Sequence, residues 1–214
     1  MIERTSVRAQ VRQILRAQVA SGTLAPGEIH SALTLANQLG VSATPVREAM
    51  LDLVSAGLVE ALPNRGFRVL SISAADLDEI VTLRIWLEVP ALEPVIALAT
   101  DAQLAALRPL AESIVEAADR RDVARFMVAD SEFHAALLSL ASNQRLLRMV
   151  SDLRDQTQLL GLRRLGQTGQ LGASAVEHLE ILDALKARDV DHARALMTRH
   201  LEHSRGIWAG VDEA

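Results

Sequence analysis

The feature that most constrains this chain is the run Gly40-Val41-Ser42-Ala43-Thr44-Pro45-Val46-Arg47-Glu48-Ala49-Met50. Gly40 closes a short apolar-periodic segment in which Ser31 is placed to cap a helix and Leu35, Ala36 and Leu39 fall on one face. Thr44 then suits an N-cap. Pro45 suits the first helical position, where a missing N–H costs no hydrogen bond. The helix that follows turns Val46, Ala49, Met50, Leu53 and Val54 inward and ends at Gly57. Two short helices across so tight a turn make a helix-turn-helix. Ser42, Thr44 and Arg47 are left at the exposed N-terminal end of its second helix, the end that such units place in the DNA major groove.

The flanking segments complete a winged unit. Upstream, about 4–21 carries Val7, Val11, Ile14, Leu15 and Val19 at helical spacing, with Arg8, Arg12 and Arg16 as a basic stripe. Gly22 and Pro26-Gly27 end it. Downstream, 58–62 and 67–70 read as two strands around Pro63-Asn64-Arg65-Gly66, which puts Arg65 at the tip of a hairpin. The chain as a whole has a net charge of -5, which argues against a polyanionic partner. The charge is unevenly spread, however. Residues 1–70 hold seven Lys/Arg against five Asp/Glu, and 71–214 hold fifteen against twenty-two. Such asymmetry points to two domains with different partners, at 1–70 and 71–214.

The second domain is built from a narrow palette. Half of all residues are apolar but only 2% are aromatic, so Leu, Ala, Val and Ile must fill the interior, a composition that favours helices. Amphipathic segments follow one another at 74–98, 101–119, 122–141, 143–165, 173–188 and 190–209. Ser73, Asp101, Asp122 and Asn143 stand near four of the starts. Pro90 and Pro94 are expected to kink or split the first segment, and Gly166, Gly169 and Gly172 to form a loose connection. The fold class is therefore mainly α: a winged helix-turn-helix followed by an antiparallel bundle of about six helices. The absence of cysteine excludes disulfides and thiolate metal sites. No apolar run approaches the roughly 20 residues of a membrane span, and the N-terminus lacks a signal-peptide core. A soluble, cytoplasmic protein is expected.

Four residues of the bundle have metal-ligand chemistry. Asp130 and His134, at i and i+4, share one helix face. His178 and His200 lie on the last two helices. Inward carboxylates and imidazoles on bundle helices commonly build metal centres, and this donor set suits zinc, nickel or another first-row ion with a position left for water or ligand. Spacing alone leaves a second reading open, in which these are ordinary polar residues of a bundle. His30, His192 and His203 have no comparable partners and read as surface or local contacts. Arg84, in a helix rich in Ile, Leu and Val, either pairs locally with Glu88 or clamps a carboxylate ligand, for which its planar fork is suited.

Several of these runs together resemble a known family. The Pro-Gly-Glu at 26–28, the run 39–50, the Ala-Gly-Leu-Val at 56–59 and the hairpin at 64–69 are similar to the DNA-binding domain of the GntR superfamily. Two positions depart from it. The family usually has Arg where this chain has Ala43, and often Arg where it has Leu33, and both are associated with DNA contact. The resemblance thus implies binding carried by Arg47, Thr44 and Arg65. Asp76–Ile80, Leu83-Arg84 with Glu88, Asp130–His134, Ala141–Asn143, Glu177-His178 and Met197–Leu201 resemble the FCD effector domain of FadR-type members. It implies a divalent cation, commonly zinc or nickel, on Asp130, His134, His178 and His200. It also implies a small carboxylate effector that completes the coordination, with Arg84 as a contact.

The expected function is a ligand-responsive, homodimeric transcription regulator, more often a repressor in this family, that binds operator DNA. Three other roles use the same four residues: a metal-dependent hydrolase or lyase, a direct metal sensor, and a purely structural metal. The enzyme needs an acid or base beside the ion. Glu132 is adjacent in sequence, but neighbouring helical residues point about 100° apart.

Overall fold

The computed structural model describes residues 6–168 and 171–209, with side chains described for 6–157 and 171–206. The chain divides between Ile72 and Ser73 into two compact units.

The first unit contains α1 (Val7–Ala20), β1 (Ile29–His30), α2 (Ala32–Leu39), α3 (Ala43–Ser55), β2 (Val59–Leu62) and β3 (Gly66–Val69). Ser6 and Ser31 cap α1 and α2 through their hydroxyls, and Gly40 closes α2 in the left-handed conformation at φ 66°. α1 packs on α3, burying Val11, Leu15 and Val19 against the Val46, Ala49, Met50 and Leu53 face. Val7 and Ile14, which share the apolar spacing of α1, remain about half exposed at 52% and 44%. β2 and β3 form the expected hairpin, with Val59 opposite Val69 and Leu62 opposite Gly66. A third strand, β1, adds antiparallel to the far edge of β3 and was not legible from sequence at two residues long. Gly66 (φ 113°) is required there, because a Cβ would run into the His30 carbonyl of β1.

The second unit is all helical: α4 (Ala74–Leu98), α5 (Asp101–Ala105), α6 (Arg108–Asp119), α7 (Val123–Ser139), α8 (Gln144–Thr168), α9 (Leu171–Lys186) and α10 (Val190–Ala209). Ser73 and Asp76 form a capping box at α4, Asp122 caps α7, and the Asn143 side chain accepts from the N–H groups of Arg145 and Leu146 at the start of α8. Three expectations need correction. The segment 101–119 is two helices, because Pro109 takes a first-turn position and α6 restarts around it. α4 is not split by Pro90 and Pro94. The carbonyls that these prolines leave free belong to Trp86 and Pro90, both on the exposed side where water can bond them. Gly166 and Gly172 lie inside α8 and α9 rather than in a loose connection, and Gly169 lies outside the described residues. α4 packs along α10, α6 against α7 and α9, and α7 against α8. Their shared core includes Leu92, Val95, Ile114, Phe133, Leu137, Ile181 and Leu185. No described helix is long and apolar enough to cross a membrane.

Candidate functional site

The first candidate surface is the start of α3. Ser42, in extended conformation, is the N-cap residue and makes no side-chain cap bond. Ala43 opens the helix, so Thr44 and Pro45 take its second and third positions, two residues further in than the sequence suggested. Proline is tolerated there because the N–H groups of the whole first turn lack helical acceptors. Ser42, Thr44 and Arg47 are all exposed, as is Arg65 at the hairpin tip beside Asn64 (φ 59°). Leu33, near the start of α2, is 64% exposed, an apolar side chain offered to solvent. The basic stripe of α1 is less free than it looked. Arg8 donates through Nε to Asp52 of α3 at 2.9 Å and pairs with the same carboxylate through Nη2.

The second candidate site lies in the helical unit. α7 carries Asp130 and His134 on one face, α9 supplies His178, and α10 supplies His200. One ligand atom from each of the four lies within 4.8 Å of all the others. The three histidines are fully buried and Asp130 is nearly so. Phe133 fixes two of them, meeting the His134 and His178 rings edge-on at 5.6 and 5.1 Å between centroids.

Each imidazole is oriented from behind. Nδ1 of His134 donates to Glu88 Oε2 at 3.0 Å, Nδ1 of His178 to the Ser174 carbonyl at 3.0 Å, and Nδ1 of His200 to Glu177 Oε2 at 2.9 Å. With every Nδ1 donating outward, every Nε2 presents a lone pair inward, which is the tautomer a metal ligand needs. His178 Nε2 then sits 3.1 Å from Asp130 Oδ1, and His134 Nε2 is 3.9 Å from the same oxygen. His134 Nε2 is buried with no hydrogen-bond partner. Lone pairs gathered around a carboxylate oxygen repel unless a cation lies among them, so the donor set fits a divalent ion.

Charge states agree. Burial pushes the His134 imidazole down to about 3, with Arg154 adding to the effect and Glu88 opposing it. Burial and the neighbouring His178 push His200 down to about 4. For Asp130 burial works upward, but the Arg154 guanidinium beside it helps to hold the carboxyl well below its usual range. Glu88 is held down in the same way, with Arg84 the strongest of the groups that overcome its burial. Metal binding requires deprotonated ligands, and His134, His200 and Asp130 are poised in that state.

Arg84 is brought to this cluster, but by an indirect route. It is buried and donates through Nε to Glu88 Oε1 at 2.7 Å, so Glu88 links it to His134. Sequence reasoning missed Arg154 of α8, whose Nη2 pairs with Asp130 Oδ2. The available signal was its i, i+4 relation to Val150, which is buried, as is Thr157 one turn beyond. Sequence reasoning placed Glu177 beside His178 but gave it no role, whereas Glu177 accepts from both His200 and His203. Glu132 is exposed on α7, whereas His134, His178 and His200 are buried.

The comparisons bear on both surfaces at once. The model of the bacterial regulatory proteins of the gntR family matches residues 7–69, and the FCD domain model matches 79–203. The chain belongs to the GntR family and carries an FCD domain. McbR of Escherichia coli, an HTH-type transcriptional regulator, is 30% identical over 96% of this chain and 94% of its own length. The "Probable D-xylose utilization operon transcriptional repressor" of Paenarthrobacter nicotinovorans is 33% identical over 100% of this chain and 95% of its own. The solved structure of McbR/YncC is similar with a TM-score of 0.85 at 29% identity, covering 95% of this chain and 97% of the other. This GntR-family chain is thus a transcriptional regulator rather than an enzyme, its winged unit is the DNA-binding domain of that family, and its FCD domain contains a His/Asp cluster able to hold a metal ion.

Proposed function

We propose that this regulator is a homodimeric repressor whose FCD domain holds zinc or nickel on Asp130, His134, His178 and His200 and releases operator DNA in response to a small carboxylate effector. The observation that carries the reading is the buried, partnerless Nε2 of His134 beside two more inward-facing imidazoles and Asp130. A bound ion would supply a Lewis-acidic position for an oxygen of the effector. The chain's own part is to hold four donors in place through Glu88, Ser174 and Glu177. In this reading Arg84 adds positive charge to the effector site while steadying Glu88.

On the DNA side, Ser42, Thr44, Arg47 and Arg65 make the contacts, two copies of α3 read a pseudo-palindrome, and the protein works in the cytoplasm where that DNA is. The repressor named above supports the sign of the response for its own operon, and its full-length similarity motivates the same sign here. Effector and DNA must weaken one another by the same factor, because coupling between sites is reciprocal.

The test is fluorescence anisotropy with DNA from upstream of the chain's own coding sequence, using ion-free protein, ion-loaded protein and ion-loaded protein with a panel of organic acids. An acid that weakens DNA binding by about 5- to 150-fold is expected for the ion-loaded protein and not for His200→Ala. A response that persists in ion-free His200→Ala contradicts the proposal. The titration with metal alone shows whether the ion by itself is the signal.

A further inference from the structure

Arg154 is the one cation of the metal cluster whose charge the protein leaves partly unused. It lies in α8 and is 6% exposed. Nη2 pairs with Asp130 Oδ2, and Nη1 stands 3.9 Å from Glu88 Oε2, beyond hydrogen-bond reach. Its Nε and Nη1 are buried and have no acceptor. The buried side-chain atoms without a hydrogen-bond partner among the described residues are these two, His134 Nε2 in the same cluster, and His30 Nε2 in the other unit. No nitrogen of Arg84 is among them.

Unsatisfied donors on a buried guanidinium carry a desolvation cost, and a role as counter-charge to Asp130 would use only the Nη2 edge. The remaining donors are those of a group built to receive an anion. Asp130 places this receptor close to the ligand donors. Its Oδ2 is taken by Arg154, while its Oδ1 faces His178 Nε2 and His134 Nε2. One carboxylate therefore bridges the arginine and the ion position. Charge points the same way. Arg84 and Arg154 stand against Glu88, Asp130 and the His200 partner Glu177, so a divalent ion would leave the cluster with one positive charge in excess, which an acid anion cancels.

We infer that Arg154 is the specificity-determining residue of the effector site. Its Nε and Nη1 groups receive the carboxylate of a small organic acid bound beside the metal. This rests on the metal reading above and extends it from the ion to the side chain that reads the acid's charge.

The experiment uses full-length protein loaded with Co2+, whose visible spectrum reports ligands at the ion, titrated with acetate and with the uncharged analogue acetamide. Wild type is expected to take up cobalt and to change its spectrum with acetate and not with acetamide. Arg154→Met should keep its cobalt and bind acetate at least about tenfold more weakly, since a charge-assisted hydrogen bond is lost, and Arg154→Lys should recover part of that loss. Unchanged acetate affinity in a cobalt-loaded Arg154→Met overturns the inference and leaves the metal reading standing. Loss of cobalt from both variants also overturns it, by assigning Arg154 to the positioning of Asp130. Equal response to acetamide, or no response to acetate in cobalt-loaded wild type, overturns it as well. No cobalt uptake by wild type overturns the metal reading and takes this inference with it.

Discussion

The two units hold their chemically active side chains under opposite conditions. In the winged unit Ser42, Thr44, Arg47 and Arg65 are exposed. In the FCD domain the three histidines, Arg84, Glu88 and Arg154 are buried, and each touches another member of the cluster or a group that orients one. The first arrangement suits a ligand that arrives as a long polyanion and meets mobile side chains, with affinity drawn from phosphate contacts and screened by salt. The second suits a small ion or acid that must find its donors already fixed, so that little ordering remains to be done on binding. It follows that changes in the buried site should act first on stability, and changes in the exposed site on DNA affinity alone.

The largest expected effect breaks this contrast at its strongest point. Glu88→Leu removes the partner of a buried Arg84 and the orienting acceptor of His134, and should destabilise the helical unit by about 3–5 kcal/mol in urea unfolding. An effect as small as that of a surface substitution would mean that the buried network is not held together as described. Next comes Arg47→Ala, which should weaken operator binding by about 1–3 kcal/mol while leaving the unfolding midpoint where it was. Ala43→Arg should act in the opposite direction, tightening binding and steepening its salt dependence, since it adds a cation at the start of α3. These two are read by anisotropy across a salt series. Smallest of all should be Arg8→Gln. The α1 arginine is already engaged with Asp52, so its loss should cost operator affinity less than Arg47→Ala does.

Acidification separates the units without mutation. In ion-free protein the folded-state pKa values of His134 and His200 lie at about 3 and about 4, below their ordinary 6.5. The unfolded chain therefore takes up protons first as pH falls. The stability carried by these neutral imidazoles is fully present above about pH 6.5 and is lost progressively between there and about pH 3. The urea midpoint of the helical unit should fall between about pH 7.5 and about pH 5, and the fall should be steeper when metal is present, because protons then compete with the ion. A flat profile over that range would contradict the buried, neutral state of these ligands.

What could be read in the sequence divides along the same line. The helix-turn-helix was legible because its signals are local: Gly40 must adopt a left-handed conformation, Pro45 must lie in a first turn, and the apolar positions of α3 repeat every three to four residues. The register slipped by two positions, from Thr44 to Ser42, because both side chains are acceptable at a helix start and only the extended backbone of Ser42 decides. The cluster of Asp130, His134, His178 and His200 was legible through the i, i+4 pair and the family resemblance. Arg154 was not. It stands among Ser151, Asp152, Asp155 and Gln156, a polar stretch that looks like a solvated helix face, and its burial comes from the neighbouring helices. Likewise the Arg84–Glu88 pair looks in sequence like any surface i, i+4 contact. Packing of α4 against its neighbours buries it and ties it to His134.

The central claim, that Asp130, His134, His178 and His200 hold a divalent ion, is tested most directly by metal content. Full-length protein stripped with a chelator, reloaded with zinc or nickel and freed of excess ion would be analysed by mass spectrometry of its metals, beside His134→Ala and His178→Ala treated alike. We predict about one ion per chain in the wild type, in line with a single four-donor site, and near-complete loss in both variants with helical content retained. Wild-type protein that retains no ion, or variants that retain as much as the wild type, would contradict it.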